Sequence, residues 1–138
     1  MKVIVDTDVW SEALRRKKGK KSAYVDELID LIQEGRIEMI GPIRMEVLSG
    51  IRESHIFDSF SERLAAFPDR SIPSEVYVLA ARFFNLCRSK GIQGSNTDFI
   101  ISACSVHWST PILSKDKDYL LYQKHIPIEI IQPRMKKG

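Results

Sequence analysis

Cysteine and long apolar runs are scarce in this sequence of 138 residues. Its two cysteines, Cys87 and Cys104, both fall in stretches predicted to be helical, so buried, reduced thiols are expected and a disulfide scaffold is not. No apolar run approaches the roughly 20 residues that a membrane-spanning helix needs. The apolar stretch behind Met1 and Lys2 is too short for a secretory signal. These absences predict a cytoplasmic protein.

The composition is that of an ordinary globular chain. Hydrophobic residues make up 43% and charged residues 28% of the sequence, and the chain is long enough to bury a substantial core. No internal repeat, low-complexity tract or linker interrupts it. A single domain over residues 1–138 is therefore expected.

Positive charge is concentrated near the amino terminus. The net charge is only +3, yet the stretch "RRKKGKK" at 15–21 carries six cations in seven positions. Such a run is either a solvated loop or a contact with nucleic acid, because clustered lysine and arginine release counterions from phosphates. The residues concerned are Arg15, Arg16, Lys17, Lys18, Lys20 and Lys21.

Short apolar strands alternate with amphipathic stretches along the chain. A continuous apolar run at 3–5 is typical of a strand buried on both faces, as in a parallel sheet. The alternation predicts an α/β fold, a three-layer α/β/α sandwich whose mostly parallel central sheet has about four or five strands. Strands are predicted at 3–5, 37–40, 111–113 and 126–131, the last at an edge, and helices at 9–14, 22–35, 42–52, 54–66, 97–108 and 117–123, with another from Ser74.

Acidic residues follow two of the predicted strands. Asp6 comes directly after the first strand, and Asp116 and Asp118 follow the strand at 111–113. Ligands of open α/β sheets bind outside the carboxyl ends of the strands. We therefore expect these three carboxylates to lie at the same edge of the sheet.

Two further acids border apolar helical stripes. Glu46 is either a surface glutamate or a site residue, and Asp98 is either a helix cap or a site residue. Together with Asp6 and Asp116 they would repel one another strongly unless a cation lay between them. The donors are all carboxylate oxygens and the histidines are scattered, which favours Mg²⁺ or Mn²⁺ over zinc.

Four motifs resemble, in order and spacing, those of PIN-domain ribonucleases, and above all the small VapC-type toxins of toxin–antitoxin pairs. The motifs are "VDTDVW", "RMEVLSG", "NTDFIISA" and "ILSKDKDYL". The resemblance covers essentially the whole chain. It implies a PIN-like fold, an endoribonuclease dependent on Mg²⁺ or Mn²⁺, a cognate antitoxin that holds it inactive, and a homodimer.

The resemblance also implies roles for individual residues. Four acids would form the catalytic metal cluster, and Asp118 would be a fifth metal residue acting directly or through water. Thr7 and Ser114 match hydroxyl positions that orient the carboxylates or a metal-bound water. The four cluster residues are Asp6, Glu46, Asp98 and Asp116.

Two details of the motifs need separate interpretation. Asp8 stands where the family commonly has asparagine, and it is either an outer ligand or the N-cap of the next helix; the cap is the prediction. Gly91 and Gly94, in "SKGIQGSNTD", are expected to let the loop before Asp98 turn.

Metal-dependent hydrolysis does not need the RNA 2′-hydroxyl as nucleophile. The expected products therefore carry 5′-phosphate and 3′-hydroxyl ends. The segment "RRKKGKK" would then grip the RNA backbone or face an acidic stretch of the antitoxin.

Two alternatives have some support in the sequence. "DTDVW" resembles the start of haloacid-dehalogenase-like phosphatases, in which Asp6 would be the nucleophile and Asp8 the acid/base. In that family the later serine or threonine, lysine and acid motifs are separated in sequence, whereas here Ser114, Lys115 and Asp116 are adjacent. This alternative also leaves Glu46 and Asp98 without a role. A catalytically silent RNA-binding module is the other alternative, but it would be expected to lack one of the four acids, and all four are present.

Overall fold

A computed structural model describes residues 1–15 and 19–135. Its four strands form one sheet in the order β2–β1–β3–β4, and every neighbouring pair is parallel. The prediction of a parallel α/β sheet is confirmed, with β4 at an edge as expected. The strands are β1 (Val3–Val5), β2 (Ile37–Glu38), β3 (Ile112–Leu113) and β4 (Ile130–Ile131).

The two central strands are buried on both faces. Val3, Ile4 and Val5 are 0% exposed, as are Ile112 and Leu113. Since successive side chains of a strand point to opposite faces, helices must cover the sheet on both sides. This is the three-layer arrangement that the apolar run at the amino terminus predicted.

Seven helices lie within the described residues. Helix α1 packs against α2 and α3, α3 contacts α6, and α5 packs along α6. The helices are α1 (Thr7–Arg15), α2 (Ala23–Gln33), α3 (Gly41–Leu48), α4 (Ser54–Leu64), α5 (Ser74–Ser89), α6 (Asn96–Trp108) and α7 (Asp118–Tyr122).

Local signals account for several helix ends. Ser22 caps α2, because its Oγ accepts a hydrogen bond from the N–H of Val25 at 3.3 Å, and Gly35 follows the helix with a φ of +66°. Both were predicted. Helix α3 ends at Leu48 and not at 52, because Ser49 is extended and Gly50 adopts a φ of +85°.

Two strands are shorter than predicted. The stretch at 37–40 forms only a two-residue strand, and Met39 makes a single bridge to Asp69 beyond it. At the other edge, the prediction of a strand over 126–131 was too long. Ile126 and Ile128 are buried in the core but stand outside the ladder, with Pro127, which has no N–H to donate, between them.

The two cysteines are unpaired and buried, as predicted. In the described part of the chain, no helix combines the length and apolarity needed to cross a bilayer.

Candidate active site

The fold gathers acids from four separate segments around the carboxyl edge of the two central strands. Asp6 follows β1 and Asp116 follows β3, which is the strand beside β1. Asp98 lies in the first turn of α6, and Glu46 is half-buried on α3, which contacts α6. The negative charges of Glu46 and Asp116 raise the pKa of Asp98, and the charge of Asp98 contributes to raising that of Asp6. Asp98 is thus within electrostatic range of each of the other three acids.

Asp6 is the most deeply placed of these acids. It is 5% exposed, and both of its carboxylate oxygens accept hydrogen bonds: Oδ1 from the backbone N–H of Thr7 at 2.8 Å and Oδ2 from the Oγ of Ser114 at 2.7 Å. Burial, and then the nearby charge of Asp8, raise the pKa of Asp6 to about 7 against the opposing effect of these two hydrogen bonds. Burial and like charge thus oppose ionisation of Asp6 more strongly than its two hydrogen bonds favour it.

The two hydroxyl residues of the motifs behave differently. The Oγ of Ser114 donates to Asp6 and accepts from the backbone N–H of Asp116 at 3.0 Å, so one side chain links two of the acidic segments. Thr7 contributes its backbone N–H to Asp6, while its Oγ1 is buried without a hydrogen-bond partner. A buried hydroxyl without a partner is a position at which a water or ligand oxygen would be stabilised.

Asp98 is held at the start of α6. The helix is capped by Ser95, whose Oγ accepts from the N–H of Asp98 at 3.1 Å. The carboxylate itself is therefore not the cap, and its Oδ2 accepts a 2.7 Å hydrogen bond from the hydroxyl of Tyr122. Burial is the largest cause of the raised pKa of Asp98, and the hydrogen bond from Tyr122 partly offsets it.

The prediction that Asp8 caps the next helix was wrong. Helix α1 begins one residue earlier, at Thr7, and the backbone carbonyl of Asp6 accepts its first hydrogen bonds, from the N–H groups of Val9 and Trp10 at 3.2 and 3.4 Å. The Oδ2 of Asp8 instead accepts from the backbone N–H of Lys115 at 3.0 Å, which ties α1 to the loop after β3. Its Oδ1 is buried without a partner, and burial, with a smaller contribution from Asp116, raises its pKa. Asp8 is therefore part of the acidic group.

The last two acids lie on the outer side of the group. The Oδ1 of Asp116 accepts from the backbone N–H of Asp118 at 2.9 Å, which shapes the turn that leads into α7. Asp118 is exposed in the first turn of that helix. It stands beside the site but does not share its burial.

The donor set suits a hard divalent cation in its chemistry. Among residues 1–15 and 19–135, no three Asp, Glu, His or Cys side chains are grouped closely enough to hold a metal ion as they stand. The acids are nevertheless all oxygen donors, and three of them, Asp6, Asp8 and Asp98, have pKa values raised by burial and by neighbouring negative charge. Unpartnered oxygens of Thr7 and Asp8 lie among them. A divalent cation bound among these carboxylates would relieve this repulsion.

Sequence reasoning missed two aromatic residues of the site. Tyr122 binds Asp98 directly, and Tyr119, one helical turn earlier, is 0% exposed with a hydroxyl that has no partner. The charges of Asp6 and Asp98 help to raise the pKa of Tyr119, which places its hydroxyl beside the acids. The available signal was the spacing of the two tyrosines three residues apart, directly after the acidic motif.

Gly94 was also misread. Gly91 does turn the chain, with a φ of +77°. Gly94 has no such φ; a Cβ at this position would lie 2.8 Å from the Cζ of Tyr122 and 2.9 Å from the Cε2 of Phe99, and closest of all to the Tyr122 hydroxyl. The absence of a side chain at Gly94 therefore leaves room for the ring and hydroxyl of Tyr122, the tyrosine that binds Asp98.

The basic segment is only partly described. Arg15, Lys20 and Lys21 are exposed, as a nucleic-acid contact would require. Arg16, Lys17 and Lys18 lie outside the described residues. The role of this segment remains a prediction.

Comparison with known proteins supports the resemblance read from the motifs. No protein-family profile matches the chain. It is 24% identical over 119 residues to a VapC ribonuclease from Mycobacterium bovis and to ribonuclease VapC11 from Mycobacterium tuberculosis, with 85% of this chain and 88% of each relative covered.

Solved structures share the fold over nearly the full length. VapBC2 from Rickettsia felis, bound to a DNA fragment from its promoter, superimposes with a TM-score of 0.75 at 15% identity, covering 96% of this chain and 98% of that one. FitAcB from Neisseria gonorrhoeae gives a TM-score of 0.69 at 18% identity, covering 95% and 97%. The resemblance to VapC-type proteins with a PIN-like α/β fold is confirmed.

Proposed function

We propose, on the premise of this PIN-like fold and its VapC relatives, that the chain is a metal-dependent endoribonuclease and the toxin of a toxin–antitoxin pair. One observation carries the proposal: acids from four distant segments lie around the carboxyl edge of the central strands, all within electrostatic range of Asp98, in a chain similar to VapC ribonucleases. Asp6, Glu46, Asp98 and Asp116 are the proposed catalytic and metal-binding residues, with Asp118 assisting.

Mg²⁺ or Mn²⁺ is the proposed cofactor. Bound among these carboxylates, it would supply water activation and charge neutralisation for hydrolysis at phosphorus. The chain's own part is to hold the donors ready: Ser114 and the N–H of Thr7 orient Asp6, and the N–H of Asp118 orients Asp116. The buried Oγ1 of Thr7 is free to bind a water near Asp6.

Asp6 is better suited to ligation than to nucleophilic attack. It is almost fully buried, and a carboxylate oxygen that accepts one hydrogen bond retains a lone pair for a cation. As a nucleophile, Asp6 would leave the neighbouring Asp98 and Glu46 without a role. The phosphatase alternative therefore gains no support from the geometry.

The proposed substrate is RNA, gripped in part by the basic segment. Arg15, Lys20 and Lys21 are exposed, and Lys20 lies within electrostatic range of Glu12, whose carboxylate pairs with Lys115 beside the acidic group. A phosphate backbone that crosses the acids could therefore continue toward these cations.

The proposed protein partners are a cognate antitoxin and a second copy of the chain, in the cytoplasm. The solved neighbours are described as VapBC and FitAB assemblies. An apolar cavity between α1, α2 and α4 is a candidate antitoxin contact, because Ile29 and Ile32 on its rim are 41% and 38% exposed. Dimerisation and the antitoxin can be tested together by light scattering of the chain alone and co-expressed with a small neighbouring gene product.

RNA cleavage by the purified chain is the decisive experiment. Wild type would be assayed with Mg²⁺, with Mn²⁺ and with EDTA, beside Asp6→Asn, Asp98→Asn and the control Asp58→Asn, which changes an exposed acid on α4. We expect metal-dependent cutting that leaves 5′-phosphate ends, is lost in the two site variants and is kept in the control. Equal cutting by all four proteins would show that the activity belongs to a contaminant.

A further inference from the structure

We propose that Tyr122 is a positioning residue for metal binding, which holds Asp98 in its ligating orientation, and that Gly94 is glycine because a side chain there would displace the tyrosine. The inference rests on the proposed function, since it gives Asp98 a metal to bind. Neither residue belongs to the acidic motifs.

The hydrogen bond between the two side chains is short and well placed. The Tyr122 hydroxyl donates to Oδ2 of Asp98 at 2.7 Å, across 24 residues of sequence. A carboxylate with one oxygen tied to a fixed donor keeps the other oxygen free and its rotation restricted.

The donor itself is rigid. Tyr122 is 0% exposed, its ring packs against Phe99 with centroids 4.9 Å apart and against Tyr119 at 5.3 Å, and its backbone carbonyl accepts from two N–H groups at 2.9 Å. A side chain packed on this many sides has one accessible rotamer. Its hydroxyl therefore occupies a fixed point to which Asp98 must adjust.

Gly94 closes the remaining side of this arrangement. A Cβ built on Gly94 would overlap the Tyr122 hydroxyl and approach Cζ of the same ring to 2.8 Å and Cε2 of Phe99 to 2.9 Å. Distances below about 3 Å cannot be relieved without moving the ring, because packed interiors leave little free volume. Alanine at this position would therefore shift the hydroxyl that Asp98 accepts from.

Mn²⁺ binding to the metal-free protein, followed by electron paramagnetic resonance, tests the proposal without reference to catalysis. The variant Tyr122→Phe keeps the ring and removes only the donor. We expect its Mn²⁺ dissociation constant to rise by about tenfold or more. Tyr24→Phe is the control, since it removes a tyrosine hydroxyl that also donates a hydrogen bond, to Oε1 of Gln132 at 3.1 Å, but lies on α2 outside the acidic group, and we expect it to keep the wild-type constant.

A double-mutant cycle separates positioning from general disturbance. Gly94→Ala should weaken Mn²⁺ binding in the wild-type background, yet add little when Tyr122 is already phenylalanine, because the hydroxyl that both changes disrupt is then absent. Thermal denaturation in EDTA confirms that each variant is folded.

The outcomes are distinguishable. Wild-type Mn²⁺ affinity in Tyr122→Phe, or an equal loss in Tyr24→Phe, would overturn this inference and leave the proposed nuclease intact. A wild-type protein that binds no Mn²⁺ would overturn the proposed metal site and this inference with it. Strictly additive losses from Gly94→Ala and Tyr122→Phe would overturn the role assigned to Gly94.

Discussion

The Oγ of Ser114 donates a 2.7 Å hydrogen bond to Oδ2 of Asp6, although 108 positions separate the two residues in the chain. The bond is possible because β1 and β3 are neighbours in the sheet, and both residues follow those strands directly. The same Oγ accepts from the N–H of Asp116. The Ser114 hydroxyl therefore links the carboxylate of Asp6 to the backbone of Asp116 and fixes the position of one relative to the other.

Removal of this hydroxyl should affect both activity and stability. In Ser114→Ala, Asp6 and the N–H of Asp116 each lose a buried partner, so we expect cleavage to slow by about 10- to 100-fold and the free energy of unfolding to fall by about 1–3 kcal/mol. Ser105→Ala is the matched control, because it removes another buried serine hydroxyl, which donates to the carbonyl of Thr110. The control should lose stability and keep its cleavage rate; if both variants lost activity equally, the role given to Ser114 would be wrong.

The free energy of unfolding of the metal-free protein should fall as the pH rises from acidic to neutral. Asp6 has a pKa of about 7 in the folded protein and an ordinary value of 3.8, so between these values the folded state binds more protons than the unfolded state. The free energy of unfolding should therefore fall as pH rises from about 4 to 7 and level off above that range. The raised pKa of Asp98 contributes with the same sign.

Urea denaturation in EDTA across this range is the measurement. Asp6→Asn removes the titrating group, and its Oδ1 can still accept from the N–H of Thr7. We expect this variant to show a shallower slope and to exceed wild type in stability at pH 8. A wild-type stability that rises steadily from pH 4 to 8 would contradict the prediction.

Mg²⁺ should stabilise the protein more at high pH than at low pH. A protonated carboxyl is a poor ligand, and Asp6 is mostly protonated below its pKa of about 7. We expect the rise in melting temperature at a fixed Mg²⁺ concentration to be larger at pH 8 than at pH 5.5. Differential scanning calorimetry of wild type and Asp98→Asn tests this, and a shift that persists in the variant would place the metal elsewhere.

The exposed lysines before α2 should contribute to RNA affinity through salt-dependent contacts. In the double variant Lys20→Ala/Lys21→Ala, we expect the slope of log affinity against log salt to become shallower by about 1.4, or 0.7 for each lost contact with single-stranded RNA. Fluorescence anisotropy with a labelled RNA in Ca²⁺, to slow cleavage, would measure it. Lys2→Ala is the control, since Lys2 precedes β1 and so lies at the opposite edge of the sheet. An unchanged slope in the double variant would assign these lysines to solvent or to the antitoxin.

The sheet and its acids were predictable from sequence because both depend on local patterns. The apolar run at 3–5 needs burial on two faces, which only a central parallel strand provides, and Asp6 and Asp116 follow their strands by one to three residues. Because the carboxyl ends of parallel strands lie at the same edge of a sheet, both acids were expected at one edge. Short edge strands were overestimated because Ile126 and Ile128 are buried by packing and not by strand pairing.

The supporting residues could not be predicted because they act across long separations. The carboxylate of Asp8 reaches the N–H of Lys115, and the hydroxyl of Tyr122 reaches Asp98, contacts that exist only once the sheet has formed. Gly94 has an ordinary backbone conformation, so no local signal distinguishes it from a simple loop glycine. Secondary-structure propensity and hydrophobic periodicity depend on residues that are close in the chain. The roles of Asp8, Tyr122 and Gly94 depend on residues that are distant in the chain and close in the folded structure.

The pairing of β1 with β3 also determines when the candidate active site can form during synthesis. Ile4 pairs with Ile112, and Ile112 in turn donates its N–H to the carbonyl of Glu129. A nascent chain that has not yet extruded the segment around 112–131 lacks the partner of its own first strand, and Asp6 lacks Ser114. A partly translated chain therefore lacks the contact between Asp6 and Ser114 whatever its length up to that point. On the proposed function, an antitoxin already present in the cell would meet no assembled site before the segment at 112–131 has been made.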